Sequence, residues 1–404
     1  MEHNMKIYEI GTGYTAIPAQ MSAATEIVVE ELTKAFLKMG FPVEILDIAS
    51  ADRAEHALPI REVPVPVCFS GTDVQLGLMH KLKRVVYSVC LARALQKLLK
   101  AETEKVVLHF HNQYNLFFFL KLTPRALRKK ACIAYTNHSG IWRLPWQEIE
   151  DTIRKRYFQE AECMRRADLV FVLNPETKEN AVKHIGVPEE RLVLIANGVN
   201  TDVYRPLPPA EKQEAREKWG FHNGPVILQV GSVYENKGQL RTAAYLLPLL
   251  QKHPDLIYAY AGGIVDAEYQ QKLCGFAQDH GLEQQIRYLG MLCPGKELNQ
   301  LYNAATFLIC ASAYEGASLV LLEGLAAGIP VLVERNTPFS LGEGCILYTP
   351  EDSGKQLADL LSEDASPYKE YCEAARRNAV SRYGWERIAA DYTAEFLNRM
   401  KSNV

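Results

Sequence analysis

The stretch Ser312-Ala-Tyr-Glu-Gly-Ala-Ser-Leu-Val-Leu-Leu-Glu-Gly-Leu-Ala-Ala-Gly-Ile-Pro330 decides how this chain is read. Before it, Thr306–Cys310 is a short apolar run with the composition of a buried strand. From Ser318 onward, Leu319, Leu322 and Leu325/Ala326 recur at helical spacing, and Gly328 and Pro330 stop the helix. Glu315 therefore falls in the turn at the strand's carboxyl end. Glu323 falls on the helix, just beyond its first turn.

The same rhythm extends in both directions. Upstream, Lys6–Ile10, Pro42–Ile48, Val106–Phe110, Ala131–Thr136 and Leu169–Leu173 read as strands between helical stretches. Ala23–Gly40 carries Ile27, Leu32, Phe36 and Leu37 at helical spacing and ends on glycine. A second series contains Val226–Val230, Leu256–Ala261, Ile286–Leu289, Thr306–Cys310 and Pro330–Glu334. Alternation of this kind predicts parallel sheets covered by helices on both faces. The segment Asn197–Pro206 is rich in turn residues and ends in proline, as a linker does.

A chain of 404 residues exceeds one ordinary core. The expected fold class is α/β: two Rossmann-like parallel-sheet domains facing across a cleft. The expected division is a first domain over residues 1–196, a linker over 197–206, a second domain over 207–384 and a C-terminal helix over 385–404. Ligands of open parallel sheets bind outside the carboxyl ends of the strands.

A net charge of −3 supplies no global field for nucleic acid. The nine cysteines are scattered, with no C-x-x-C pair, which reads as reduced thiols in a cytoplasmic protein. The N-terminal residues show no signal-peptide pattern, and no window approaches the ~20 apolar residues of a membrane span.

The turn and helix at 312–330 can hold a nucleoside diphosphate sugar. Free backbone N–H groups at a helix start suit a diphosphate. A carboxylate one turn further on can accept both hydroxyls of a ribose, and one in the turn can hold those of a sugar. By spacing alone, the same two acids read equally well as solvated groups at a helix end.

Taken together, the motifs resemble those of the retaining glycosyltransferases of family 4, which have the GT-B fold. Glu315 and Glu323 stand in the setting S-x-x-E-G…L-x-E-G-x-A-x-G-x-P-V. Ala167–Pro175 and Ile195–Pro206 are similar to the family's segments before the linker, and Val230–Gly238 resembles its V-G-R-x-x-x-x-K-G loop. Tyr260–Gly263, Tyr288–Met291 and Tyr383–Glu386 follow in the family's order, so the resemblance spans nearly the whole chain.

The resemblance implies roles: the domain over 1–196 would bind the acceptor, the domain over 207–384 would bind the nucleotide sugar, and the helix over 385–404 would return to the N-terminal domain. Glu315 would meet the donor sugar, Glu323 the ribose, and Lys237 the diphosphate leaving group. Gly231, Ser232, Gly316, Ala317 and the backbone of Ser318, Leu319 and Val320 would complete the donor site, with Met291 near the base. His138, in Tyr135–Gly140, resembles the family's strand-end T-x-H histidine and would be catalytic beside Glu315 and Lys237. Ala23 and Ala24 stand in the family's G-G-x-E segment and, with Trp142 and Trp146, are the acceptor candidates. There is no Asp-x-Asp motif, so neither a metal nor another cofactor is expected. Ser232 stands where the family usually has arginine.

His109 and His111 alternate along one strand and share a face. They read as cleft-lining residues, since no obvious further metal ligand accompanies them. The tryptophans read equally as a lid packed on their own domain. Basic-apolar stretches at Leu76–Arg84 and at Phe117–Phe119 with Arg125, Arg128, Lys129 and Lys130 read as solvated faces over core phenylalanines, or as contacts to the inner face of a membrane. The expected function is transfer, with retention, from a UDP-sugar ahead of a GDP-sugar to a carbohydrate or lipid-linked hydroxyl, in surface polysaccharide or glycolipid synthesis. The alternatives are a non-catalytic sugar-nucleotide-binding module, to which Ser232 and Ala23-Ala24 point, and a GT-B phosphorylase.

Overall fold

Strands that are apolar end to end must be covered on both faces. In the computed structural model they are, in two separate parallel sheets. The structure describes residues 5–19, 23–69, 78–221, 224–312, 318–334, 342–349, 355–360 and 366–401. The chain divides into two compact units, Met1–Asn197 with Trp385–Val404, and Gly198–Gly384.

The first unit holds β1 (Ile7–Ile10), β2 (Val43–Ile48), β3 (Ile60–Val63), β4 (Val106–Phe110), β5 (Ala131–Asn137), β6 (Leu169–Val172) and β7 (Leu192–Leu194), in the order β3-β2-β1-β4-β5-β6-β7. All of its neighbouring strands run parallel. The chain moves outward from β1 in one direction and then returns to add β4 on the other side. That reversal leaves a crevice outside the carboxyl ends of β1 and β4, where ligands of such sheets bind. The core joins Tyr8, Ile10, Leu108 and Phe110 to Leu91, Leu95 and Phe119 of the covering helices.

The helix Trp385–Lys401 belongs to this unit and packs on the helix Ala24–Lys38, with Phe36 and Phe396 rings 6.3 Å apart. Its buried face is Trp385, Ile388, Ala389, Tyr392, Thr393 and Phe396, the spacing of one apolar helix stripe.

The second unit holds β8 (Val226–Val230), β9 (Ile257–Ala261), β10 (Ile286–Tyr288), β11 (Phe307–Cys310), β12 (Val331–Glu334) and β13 (Cys345–Tyr348), in the order β10-β9-β8-β11-β12-β13. Its reversal lies between β8 and β11. Backbone packs on backbone at the carboxyl ends of the first of these strands. A Cβ on Gly262 would lie 2.0 Å from the carbonyl oxygen of Gly231, and Gly262 has φ +149°. Only glycine fits there.

Three strands were not anticipated from the sequence: β3, β7 and β13. Each lies at a sheet edge and is partly exposed. No helix of the described residues is long and apolar enough to cross a membrane.

Candidate active site

In the second unit, the loop that carries Lys237 meets the end of β11 at the reversal between β8 and β11. After β8 the chain makes a short turn, Glu235–Lys237, and Gly238 follows with φ +71°. A Cβ on Gly238 would meet the carbonyl oxygen of Ala311 at 2.5 Å. Ala311 directly follows β11, so the lysine loop and the end of that strand approach each other through their backbones. Lys237 is half-buried and its stem runs past Gly231, where a Cβ would sit 3.5 Å from Lys237 Cδ. Gln229 Nε2 donates to the Lys237 carbonyl at 2.6 Å, and Gln239 Nε2 donates to that of Ser232 at 3.0 Å. The loop is thereby held from both sides.

The helix of the diagnostic stretch spans Leu319–Ala326. Ser318 is its extended N-cap and makes no side-chain capping bond, although serine is among the residues that favour that role. Leu319 and Val320 are half-buried in the first turn. Gly324 lets the helix sit against β11, since a Cβ there would meet Leu308 Cδ2 at 2.5 Å.

Glu323 is buried, and Tyr302 Oη donates to its Oε2 at 2.7 Å. The Tyr204 hydroxyl also donates to this carboxylate, while burial pushes its pKa above the usual range. A carboxylate has about four acceptor positions, so two tyrosines still leave room for a ligand hydroxyl. Met291 is exposed, and its sulfur lies 3.5 Å from where a Cβ on Gly263 would be. Glu315, Gly316 and Ala317 lie outside the described residues.

In the first unit, the parallel register sets Glu9 of β1 beside His109 of β4. His109 Nδ1 is 2.8 Å from Glu9 Oε1, and His111 Nε2 is 2.7 Å from Glu9 Oε2. His138 Nε2 lies 3.0 Å from His111 Nδ1, and the two rings stack with centroids 5.3 Å apart. On the far side, His109 Nε2 is 2.7 Å from Thr136 Oγ1, which is 3.1 Å from Tyr392 Oη. The two imidazoles on Glu9 hold its carboxyl down to about 2 against burial, the largest single influence on it. Burial pushes His111 down to about 4 and His138 well below the usual imidazole value, with neighbouring histidines adding to both shifts.

This cluster corrects the sequence reading of His109 and His111 as cleft-lining residues. His109 is fully buried between Phe171, Tyr392 and Phe396, with ring centroids 5.9, 5.1 and 5.5 Å away, and His111 is buried too. It also supplies the acid missing from the sequence reading, since the ligand-type atoms of Glu9, His109 and His111 lie within 4.8 Å of one another. Two ligands on one tetrahedral zinc stand about 3.3 Å apart. The 2.7 and 2.8 Å separations here are those of hydrogen bonds. Glu9 was missed, although one acid inside the otherwise apolar strand Ile7–Ile10 is itself a signal.

Trp142 needs a second correction as an acceptor candidate. It is a core side chain, and its indole N–H donates to Glu160 at 2.7 Å. Trp146 is half-buried and stacks between Trp142 and His184, with centroids 6.2 and 4.5 Å away. Of the basic-apolar stretches, Phe119 is core and Phe117 packs on Phe158 at 5.9 Å. Lys83 turns inward to donate to the Tyr14 carbonyl at 3.3 Å, and Arg84 lies over the Tyr14 ring. Leu76 lies outside the described residues.

Ala23 is half-buried at the start of the helix Ala24–Lys38, Ala24 is exposed, and the acid of this segment, Glu26, is buried under the Thr12 hydroxyl. Burial, reinforced by the Asp47 charge, raises the Glu26 carboxyl to about 7. Its folded pKa lies above the unfolded value, so its contribution is present below about 4.5 and is lost as pH rises through about 7. Glu26→Gln should therefore gain stability relative to the parent by about 2–3 kcal/mol between pH 5 and pH 8. Urea midpoints at both pH values measure this. A difference independent of pH would show that Glu26 titrates normally.

The chain is similar to known proteins. Residues 25–203 match the family model Glycosyltransferase Family 4, and residues 211–341 match Glycosyl transferases group 1. The chain is 32% identical over 311 residues to a putative glycosyltransferase, EpsD, of Bacillus subtilis, covering 75% of this chain and 74% of that protein. It is 26% identical to O-antigen chain mannosyltransferase B of Escherichia coli, over 66% of this chain and 70% of that one. Among solved structures, sucrose-phosphate synthase from Thermosynechococcus elongatus shares the fold with TM-score 0.77 at 18% identity, covering 99% and 100% of the two chains. The Anabaena protein HepE in complex with UDP-glucose matches with TM-score 0.71 at 17% identity, covering 98% and 100%.

The chain belongs to glycosyltransferase family 4, with the α/β GT-B fold. It is a glycosyltransferase, which sets aside the non-catalytic module.

Proposed function

We propose that the chain transfers a glycosyl group, with retention, from a nucleoside diphosphate sugar, UDP ahead of GDP, to a hydroxyl of a carbohydrate or lipid-linked acceptor. The observation that carries this reading is the meeting of two strand ends at the β8–β11 reversal. One brings Lys237, and the other brings an amide-rich helix start with buried Glu323 one turn beyond it. A cation and free amides suit a diphosphate, and an acid beyond them suits a ribose. Lys237 and the helix start take the place of a divalent cation. His138 acts on the sugar side of the reaction. The mannosyltransferase named above acts on O-antigen, and HepE binds UDP-glucose; surface polysaccharide or glycolipid synthesis fits that company.

The test is a thermal-shift series with UDP, GDP, ADP and their sugars, followed by donor hydrolysis with and without a chelator. Saturation at a hundred times Kd adds about 2.7 kcal/mol to stability, enough to read directly. A rise with UDP in the presence of chelator is expected, as is turnover that survives chelation. No shift with any nucleotide would overturn the donor site. Activity lost on chelation and restored by manganese would overturn the metal-free reading.

A further inference from the structure

We propose that Glu9, acting through His111, is a positioning residue that fixes the protonation pattern of His138, so that His138 carries its proton on Nε2 and presents a bare Nδ1. The proposal rests on the reading of His138 as an active-site residue. It extends that reading into the interior of the first unit.

The argument follows the hydrogen bonds. An ionised carboxylate only accepts. Glu9 Oε2 is 2.7 Å from His111 Nε2, so that nitrogen must carry a proton and donate it. Burial beside another imidazole keeps His111 neutral. Its remaining nitrogen, Nδ1, is therefore an acceptor. At 3.0 Å from that acceptor stands His138 Nε2, which must be the donor. His138 is half-buried, its hydrogen-bond partner is the neutral His111, and among the described residues no acid pairs with it; burial and the neighbouring histidines hold it neutral, so its Nδ1 holds a lone pair. Among the described residues no hydrogen bond to that Nδ1 is formed.

The other arm of the cluster does not alter this result. Glu9 Oε1 accepts from His109 Nδ1 in either orientation of the Thr136 and Tyr392 hydroxyls. That arm anchors the carboxylate, because Tyr392 sits on the helix Trp385–Lys401 that covers His109. The last helix of the chain thus closes over the network that ends at His138.

The pattern has a chemical consequence. A histidine with a bare nitrogen towards its ligand accepts a hydrogen bond from a sugar hydroxyl. The opposite tautomer would donate one. Orientation and tautomer of an active-site imidazole are set by what its other nitrogen meets. Here the setting group is two hydrogen bonds away and far off in sequence.

The experiment uses the whole chain with 15N-labelled histidine. Long-range 1H–15N correlation at pH 7 reports which ring nitrogen of each histidine is protonated, with His111→Asn and His138→Asn used only to assign the signals. Both His111 and His138 are expected as neutral Nε2–H forms. An Nδ1–H form or a doubly protonated ring at either position overturns the proposal, and this measurement needs no variant to be active. Glu9→Gln then replaces the acceptor by a neutral amide. The His138 signal should become a mixture of tautomers, and kcat should fall about tenfold or more with donor KM held within about twofold. An unchanged His138 signal or an unchanged kcat in a folded Glu9→Gln protein also overturns it. A separate outcome concerns the underlying reading. If His138→Ala keeps full turnover while the parent spectrum shows the expected tautomers, the role of His138 in the reaction fails and the hydrogen-bond order stands.

Discussion

Lys237→Ala should lower donor-dependent turnover about ten- to a hundredfold, the loss that follows from removing one charge-assisted contact of ~1.5–3 kcal/mol. The surroundings of this lysine support an effect of that size. Its loop is pinned by the Gln229 side chain on one side and by Gly238 against Ala311 on the other. Its stem lies along Gly231, which stands at the end of β8. Ser232 is uncharged where the family usually has arginine, which leaves Lys237 the larger share of the work. The measurement is kcat/KM for donor hydrolysis and transfer in parent, Lys237→Ala and Lys237→Arg. The arginine variant should recover part of the loss, because charge is kept while the reach changes. Turnover of the alanine variant equal to the parent's would place the diphosphate elsewhere.

The second large effect separates the two glutamates of the 312–330 stretch. Glu323 should serve binding, because a ribose contact is the same in ground and transition states. Uniform binding shows in affinity and KM, and differential binding in kcat. Glu323→Gln should weaken nucleoside diphosphate affinity about tenfold, as one or two hydrogen bonds of ~1 kcal/mol are lost. The structure adds a control. Tyr302 and Tyr204 both donate to this carboxylate, and an amide nitrogen cannot accept from a hydroxyl. A denaturation curve beside the calorimetric titration therefore separates a lost ribose contact from a loosened tyrosine pair. Glu315→Gln should leave diphosphate affinity nearly intact and lower kcat, since Glu315 would touch the sugar on which positive charge develops. If Glu315→Gln abolishes diphosphate binding while Glu323→Gln does nothing, the order of the donor along the helix is reversed.

Parts of the fold were legible because their local physics is self-sufficient. Val226–Val230 and Val106–Phe110 are buried nearly throughout, so their apolar runs identify them without reference to partners. The edge strands are different. Ile60–Val63 buries only Val63 fully, and Cys345–Tyr348 alternates between exposed and buried positions. An edge strand of this length has too few apolar residues to stand out from a loop, and its identity comes from the neighbour it pairs with.

The tryptophans after His138 show a similar limit. Sequence gave the aromatic pair and left its direction open. Glu160 supplied an acceptor for the Trp142 indole inside the unit, and that drew the ring into the core.

The sequence by itself determined the strand–turn–helix rhythm and the place of Glu323 one turn into its helix, both from residue periodicity and from glycine and proline punctuation within about twenty residues. The lysine loop after β8 was legible only through its resemblance to the family's motif. Tertiary structure alone decided what the histidines do. Periodicity puts His109 and His111 on one face of β4, but whether that face meets solvent, a metal or an acid depends on which strand is the neighbour. The sheet order makes that strand β1, and the parallel register puts Glu9 opposite His109 across 100 residues of chain. The final helix then covers the face with Tyr392 and Phe396. A buried carboxylate held by two imidazoles exists only once those distant pieces meet, because each group alone would be too costly to take out of water.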